Sequence, residues 1–149
     1  MVKVAVGIIQ LGSQVLVCQR KKNARYGLQW EFPGGKLENG ELPEQCLQRE
    51  LREELSIEAT IGAEIHHQSW TYPDAGSFEV SYYLVSSYSG FIKNNVFEHI
   101  RWIPVSELGA IAMLEGNKEV VALLKTSSAS PLSGGLNNAH GQNNHSKPA

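Results

Sequence analysis

Three glutamates, Glu50, Glu53 and Glu54, stand at positions i, i+3 and i+4 of one stretch of the chain. Residues with this spacing share one face of a helix. Like charges placed so close together destabilise an isolated helix by roughly 0.2–0.5 kcal/mol per pair. A hard divalent cation such as magnesium prefers oxygen ligands of this kind. The spacing therefore allows a metal site, although a charged helical face is more often ordinary solvent-exposed surface.

The helix that would carry these carboxylates is amphipathic. Leu47, Leu51 and Leu55 occupy the adjoining face, which gives the helix a core to pack on. We predict that it begins near Pro43, because proline is tolerated at the first helical position, and that it ends around Leu55 and Ser56. A turn at Pro33-Gly34-Gly35 precedes it.

The residues around this helix follow a longer pattern. Gly35 is followed by Glu41, then by the run Arg49–Glu54 and by Ile57. This order resembles the Nudix box, Gly-x5-Glu-x7-Arg-Glu-apolar-x-Glu-Glu-x-Gly-apolar. Every fixed position matches except one, where Ser56 replaces the final glycine. We expect Ser56 to affect stability more than chemistry, because the side chain at this position supplies no ligand atom. A left-handed serine costs roughly 1–2 kcal/mol, unless the chain leaves the helix in another conformation.

Two segments outside the box extend the resemblance. Ala5–Ile9 and Glu31–Lys36 look like the MutT branch of the Nudix family, which contains nucleoside-triphosphate pyrophosphohydrolases. The resemblance implies the α/β class, with an α/β/α sandwich built on a central mixed sheet. It also implies dependence on Mg²⁺, for which Mn²⁺ can substitute.

The resemblance further implies catalytic roles for residues of this chain. The expected metal ligands are the box carboxylates of Glu50, Glu53 and Glu54. The backbone carbonyl of Gly34 and a glutamate from a later loop, Glu98, would complete the set. Glu50 and Glu98 are both candidates for the general base, and Arg49 would orient the carboxylates. Arg49 could equally be a simple helical partner of Glu53, and Glu41 could merely hold the loop before the helix. The assignment of Glu98 depends on loop plasticity, because well-known members place this glutamate where Val96 stands here.

Substrate contacts are implied at positions outside the helix. Arg20 and Phe32 fall on positions that contact the nucleotide in the MutT branch, and Lys36 could hold a phosphate. Asn117 falls on the asparagine that reads the guanine edge, and an amide offers both a donor and an acceptor for that purpose. The alternative for Asn117 is a helix N-cap, since asparagine is favoured there.

Composition and patterning bound the rest of the chain. At 149 residues, with 42% hydrophobic content, it is one domain's worth of globular sequence. We predict a Nudix domain over residues 1–125 and a low-complexity, disordered tail over 126–149, where His140 and His145 have no credible metal spacing. Cys18 and Cys46 should be buried, reduced thiols.

The partner predicted is a small-molecule nucleoside triphosphate. Net charge is −2 and no basic block is present, so we expect no direct binding to nucleic acid. The chain has no apolar run of transmembrane length and no recognisable signal peptide. We therefore expect a cytoplasmic protein that does not bind membranes. We also expect a monomer, although the sequence does not fix the oligomeric state.

Several further elements are predicted from the pattern of apolar residues. The first twenty residues should form a hairpin broken at Gly12. Two strands are expected at 59–70 and 78–86, the second of them central in the sheet. A final helix should cover Lys118–Lys125 with its valines and leucines facing inward.

Three functional hypotheses remain at this stage. The leading one is hydrolysis of 8-oxo-dGTP to 8-oxo-dGMP and pyrophosphate, which would remove an oxidised nucleotide before DNA replication and so prevent mutation. The second is a Nudix pyrophosphohydrolase acting on CTP, dCTP or another nucleotide. The third is a catalytically silent Nudix domain that binds a nucleotide or a partner, which the complete set of box glutamates disfavours.

Overall fold

A computed structural model describes residues 1–127 of the chain. Within this range the strands form two four-stranded sheets. The strands are β1 (Val2–Ile8), β2 (Gln10–Leu11), β3 (Gln14–Gln19), β4 (Trp30–Glu31), β5 (Gly34–Lys36), β6 (Glu58–Tyr72), β7 (Gly76–Ser89) and β8 (His99–Pro104). The helices are α1 (Pro43–Leu55) and α2 (Lys118–Ser127), and 3₁₀ turns lie at Val105–Ala110 and Glu115–Asn117.

The first sheet is mixed and has the strand order β5-β1-β7-β6. β1 runs parallel to β7, whereas the β1–β5 and β6–β7 pairs are antiparallel. β7 is internal, as its sequence predicted. In the second sheet β3 pairs antiparallel with β2, β4 and β8.

The predicted hairpin over the first twenty residues is only partly correct. The hairpin around Gly12 joins β2 to β3, but β1 belongs to the other sheet. There Val2–Ile8 pairs in parallel with Phe78–Leu84. The last four residues of β1 are all buried, which suits a strand covered on both faces rather than the arm of an exposed hairpin.

Two hydrophobic cores lie on opposite faces of the mixed sheet. Ala5 contributes to the core beneath α1, whereas its neighbour Val6 contributes to the core beneath α2. Adjacent strand residues point to opposite faces, so the two helices cover the two sides of the sheet. Leu47, Leu51 and Leu55 of α1 are fully buried, and Val120, Val121 and Leu124 are the buried residues of α2. This is the α/β/α sandwich that the sequence predicted.

Helix α1 begins and ends where its sequence predicts. Pro43 is its first residue, and Ser56 follows its last with φ 62° and ψ 34°, the left-handed conformation. The Ser56 amide donates to the Arg52 carbonyl at 3.0 Å, which closes the helix. Asn95 Nδ2 then donates to Ser56 Oγ at 2.9 Å and to the Glu53 carbonyl at 3.0 Å, so the loop before β8 is fastened to this helix end.

Other predictions have different outcomes. Cys18 and Cys46 are buried free thiols, as predicted. Burial raises the pKa of both thiols, that of Cys46 to about 11. Thr126 and Ser127 belong to α2, whereas the rest of the predicted tail, including His140 and His145, lies outside the described residues. In the described part of the chain no helix combines the length and apolar character needed to cross a bilayer.

Candidate active site

The two glycines of β5 let three elements come together. Gly34 and Gly35 pair with Val6 and Ala5 of β1. A Cβ on Gly34 (φ +155°) would overlap the Ala5 carbonyl, and a Cβ on Gly35 would overlap the carboxyl group of Glu50. Only glycine therefore allows β5 to lie this close to both β1 and α1.

Glu50 and Glu54 form a close carboxyl pair next to this turn. Glu54 Oε1 accepts a hydrogen bond from the Gly34 amide at 3.3 Å. Burial, together with the charge of Glu50 and a hydrogen bond to it, raises the pKa of Glu54 to about 9. Two neighbouring carboxylates repel each other, which favours the neutral form of Glu54 in the absence of a cation.

Arg49 ties the box residues together. Its guanidinium binds Glu41 through two nitrogens, at 2.7 and 2.9 Å, and also contacts Glu50 at 3.1 Å and Glu53 at 3.5 Å. The Arg49 hydrogen bonds are the main reason why the pKa of Glu41 falls to about 2. Glu41 also accepts from the Glu38 amide at 2.9 Å. Arg49 thus contacts several box carboxylates and is also a helical partner of Glu53, the two arrangements considered from the sequence. Glu41 does hold the loop before α1.

The donor set of these residues fits a divalent cation. All candidate ligands are carboxylate or carbonyl oxygens, which hard cations prefer. Glu50 and Glu54 bring two carboxyl groups close together, and a bound cation would offset the repulsion between their charges. Glu53 has a 58% exposed side chain directed at Arg49, and within residues 1–127 no three acidic, histidine or cysteine side chains already form a preassembled metal cluster. Glu50 and Glu54 are therefore the assembled part of the candidate metal site.

A cavity of about 560 Å³ opens beside the Gly-Gly turn. Its lining includes six of the residues singled out in the sequence: Arg20, Phe32, Gly34, Lys36, Glu54 and Asn117. All four predicted substrate contacts therefore line the same cavity. Glu54, at one end of the carboxylate site, lines it too. The remaining sequence-predicted residues, Arg49, Glu50, Glu53 and Glu98, do not line it.

Glu98 lies in the loop before β8. Its Oε1 accepts from the Lys22 amide at 3.4 Å. Neither this contact nor the cavity joins it to the box carboxylates in the described structure, and its role as ligand or base stays a prediction.

Glu31 is a pocket residue that the sequence reasoning missed. Its carboxylate pairs with Arg20 at 3.2 Å, while Arg20 Nε donates to the Arg25 carbonyl at 2.7 Å. Burial raises the pKa of Glu31 although Arg20 opposes the shift. Glu31 faces Cys18 across the β3–β4 pair, and Arg20 is two residues beyond Cys18. Opposite charges at diagonal positions of two paired strands often interact, and this pattern could have identified the Arg20–Glu31 pair from the sequence.

Four aromatic side chains form one part of the cavity wall. Tyr72 is 5.1 Å from Tyr26 and 6.1 Å from both Trp70 and Phe78, measured between ring centroids. Tyr26 and Arg25 also contact Asp74 at the β6–β7 turn. The site therefore combines a carboxylate end with an aromatic region suited to a planar ring.

Asn117 lies in the 3₁₀ turn just before α2 and is buried. Among the described residues its Oδ1 accepts a hydrogen bond from the Tyr82 hydroxyl at 2.7 Å. Its side chain is thus part of the cavity wall rather than a cap on the first turn of α2. Tyr82 and Gln68, which also line the cavity, were not singled out from the sequence because each looks like an ordinary strand residue.

The family of the chain follows from comparison with known proteins. The model of the NUDIX domain matches residues 1–124, and the chain belongs to this family. It is 31% identical over 124 residues to an 8-oxo-dGTP diphosphatase of Escherichia coli, covering 83% of this chain and 95% of that protein. It is 38% identical over 86 residues to an 8-oxo-dGTP diphosphatase of Proteus vulgaris, covering 57% of this chain and 76% of that protein.

A further relative carries a different name. The chain is 40% identical over 86 residues to a CTP pyrophosphohydrolase of Escherichia coli, covering 50% of this chain and 64% of that protein. Among solved structures, the Escherichia coli ORF135 protein has a TM-score of 0.77 at 26% identity, covering 89% of this chain and 94% of that one. A MutT structure, from work on the Aliivibrio salmonicida and Vibrio cholerae proteins, has a TM-score of 0.73 at 27% identity, covering 85% and 98%.

These comparisons confirm the predicted family and fold. The chain is a MutT-like Nudix hydrolase, and its relatives are named as diphosphatases and as a pyrophosphohydrolase. Nudix hydrolases generally require a divalent metal, in agreement with the oxygen donors described above.

Proposed function

We propose that this protein is a Mg²⁺-dependent nucleoside-triphosphate pyrophosphohydrolase that prefers 8-oxo-dGTP. The observation that carries the proposal is a single cavity with the Gly34–Glu54 contact at one end and Asn117 in its wall. A triphosphate bound toward the carboxylates would place its base toward Asn117 and the aromatic side chains. Removal of oxidised guanine nucleotides would protect DNA replication from mutation.

The reaction requires charge neutralisation, an activated water and alignment of both with the phosphorus. A divalent cation held by Glu50, Glu53, Glu54 and the Gly34 carbonyl would neutralise polyphosphate charge and make a bound water more acidic. Glu50 would accept the proton of the attacking water, and Arg49 would keep Glu50 and Glu53 oriented. The water oxygen bonds to the β-phosphorus as the α–β bridging bond breaks, which yields a nucleoside monophosphate and pyrophosphate.

The substrate-binding residues have separate roles in this proposal. Lys36 would contact the phosphates, and Phe32 would pack against the nucleotide. Arg20 would contact the nucleotide while paired with Glu31, which keeps the local charge balanced. Asn117 would read the purine edge, because an amide can pair with both O6 and the N7–H that 8-oxidation creates.

The test is pyrophosphate release from a panel of nucleoside triphosphates, with and without Mg²⁺, with Mn²⁺ as a second metal. We expect 8-oxo-dGTP to give the highest kcat/KM and EDTA to abolish turnover. CTP and dCTP belong in the panel because of the relative named CTP pyrophosphohydrolase. Highest kcat/KM on CTP would support that second function, and binding without turnover of any nucleotide would reject both.

The base assignment has its own test. Asn117→Ala should lose most of the discrimination between 8-oxo-dGTP and dGTP, measured as the ratio of their kcat/KM values. The cost of losing one reading contact is about 1–3 kcal/mol, or roughly fivefold to 150-fold in that ratio. Unchanged discrimination would remove Asn117 from the reading of the base.

Other sequence predictions stay predictions. They comprise a cytoplasmic location, a monomeric state, no binding to nucleic acid, and a Nudix domain ending at residue 125 with a separate tail.

A further inference from the structure

A directed chain of hydrogen bonds leads from α2 through β6 to the turn that carries Asn117. His66 Nε2 lies 2.8 Å from Gln68 Oε1 and 3.1 Å from Glu119 Oε1. Gln68 Nε2 donates to the Gly116 carbonyl at 2.6 Å. Since carboxylate and carbonyl oxygens only accept, His66 must carry its proton on Nε2 and the Gln68 amide has one orientation.

Tyr82 connects this chain to the Asn117 side chain. Its hydroxyl oxygen is 2.7 Å from Asn117 Oδ1 and 3.3 Å from the Gly116 carbonyl. The hydroxyl of Tyr82 has a single proton, and its contact with Asn117 Oδ1 is much the shorter of the two, so the proton goes to Asn117 Oδ1. Tyr82 is 1% exposed, and burial raises the pKa of its hydroxyl, which therefore remains a donor at any working pH.

The bond from Tyr82 determines which atom of the Asn117 amide is available to a ligand. Oδ1 is engaged by Tyr82 and keeps one further lone pair. No acceptor for Nδ2 occurs among the described residues 1–127, and Asn117 lines the cavity. Asn117 therefore presents the Nδ2 amide group to the cavity as a hydrogen-bond donor.

We propose that Tyr82 is a positioning residue that fixes the Asn117 amide with Nδ2 available to the cavity, so that this wall selects a base with an acceptor edge. The O6 atom of guanine is such an acceptor, whereas adenine presents the N6 amino donor at the same place. The proposal rests on the proposed function in taking the cavity as a nucleotide site. It goes beyond that function by naming the residue outside the base contact that sets the selectivity.

Removal of the Tyr82 hydroxyl should release the amide without removing it. In Tyr82→Phe, Asn117 could rotate by 180° and present Oδ1 to an adenine amino group. Selectivity between guanine and adenine should then fall while the chemistry at the carboxylate end is unaffected. Loss of selectivity with an intact reaction is a result that a merely structural role of Tyr82 would not produce.

The experiment compares binding of dGMP and dAMP to the full metal-free chain by calorimetry, with KM and kcat for dGTP and dATP as a second readout. The wild type should bind dGMP about tenfold more tightly than dAMP, and Tyr82→Phe should bring the two affinities to within about twofold. The change should appear in KM, with kcat nearly constant. The matched control is Tyr88→Phe, because the Tyr88 hydroxyl is buried with no partner in the described structure. It should keep the wild-type ratio.

A second variant covers the case in which Tyr82→Phe does not fold. Asn117→Asp keeps an acceptor for the Tyr82 proton but has no Nδ2, so its preference should move toward dAMP. An unchanged ratio in a folded Tyr82→Phe, a guanine preference retained by Asn117→Asp, or a wild type without preference would overturn the proposal. Selective binding that depends on Tyr82, in a chain that releases no pyrophosphate, would instead reject the proposed function alone.

Discussion

Glu53 is the least buried of the three helix carboxylates, which makes it the clearest residue at which to test the metal site. Its side chain is 58% exposed, and within residues 1–127 its ion pair is a 3.5 Å contact with Arg49. Exposed pairs of this kind contribute about 0–1 kcal/mol to folding. Substitution of Glu53 should therefore separate catalysis from stability.

Glu53→Gln should lower kcat/KM by about a hundredfold or more while leaving the thermal midpoint almost unchanged. The physical reason is that metal charge stabilisation contributes several kcal/mol to the transition state, and an amide binds the cation more weakly than a carboxylate. Steady-state kinetics at saturating Mg²⁺ measure the first quantity and thermal melting the second. Glu107→Gln, an exposed acid on a 3₁₀ turn, is the control for charge loss. Near-normal turnover in Glu53→Gln would reject the metal assignment.

Individual residues also show where sequence reasoning succeeds. Ser56 stands at the position of the final glycine of the Nudix box. The box therefore predicted a left-handed conformation here, and Ser56 adopts it. Glu31 and Tyr82 were missed because their roles depend on partners that only the fold supplies. Arg20 reaches Glu31 across a strand pair, and Asn117 reaches Tyr82 from a different element.

At the scale of elements, the packing of β5 against α1 determines the position of Glu50. Gly35→Ala should reduce activity at least tenfold, because the new Cβ would displace the Glu50 carboxyl and a 1 Å misplacement can cost a hundredfold. Steady-state kinetics with a metal titration would measure this effect. Gly109→Ala is the matched control, since the nearest atom to its new Cβ is the terminal nitrogen of the Lys125 side chain. Equal activity of both variants would show that Glu50 does not need its present position.

The end of α1 provides a prediction about stability. Ser56→Gly should raise the free energy of unfolding by about 0.5–1 kcal/mol, because it relieves a left-handed serine at a cost of roughly 1–2 kcal/mol but loses the hydrogen bond from Asn95. Asn95 would keep its bond to the Glu53 carbonyl. Urea denaturation would measure the change. Ser87→Gly, within β7, should destabilise instead, and a loss of stability in Ser56→Gly would show that the serine conformation is not strained.

At the scale of the whole molecule, Glu41 makes the free energy of unfolding depend on pH in the acid range. Its pKa is about 2 in the folded chain against an ordinary value of 4.5, mainly because of Arg49. Between these values the unfolded chain binds a proton that the folded chain does not, so stability decreases as the pH falls through this window. The contribution is complete above about pH 5.5.

Glu41→Gln should therefore flatten the acid side of the stability profile between about pH 5 and pH 2. Urea midpoints measured across this range would show the effect, with Glu107→Gln as the control. If Glu41→Gln and the wild type have parallel profiles, the Glu41–Arg49 pair does not contribute to acid unfolding.

The layered architecture was predictable from the sequence, but the arrangement of β1 was not. Helical periodicity and the box identify α1, because their signals lie within a few residues of one another. The pairing of Val2–Ile8 with Phe78–Leu84 has no local signal, since parallel strands join across a long intervening segment. The apparent hairpin at Gly12 therefore described only β2 and β3.

The parallel pairing of β1 and β7 has a consequence for the timing of folding during synthesis. At about 5–20 residues per second, the ribosome delivers β7 several seconds after β1. Throughout that interval the β1 backbone lacks a neighbour that the finished sheet requires, and Val6 and Ile8 lack Tyr82 in the core they later share. The earliest moment at which the cavity beside the Gly-Gly turn can exist is thus set by translation rather than by the intrinsic speed of strand pairing.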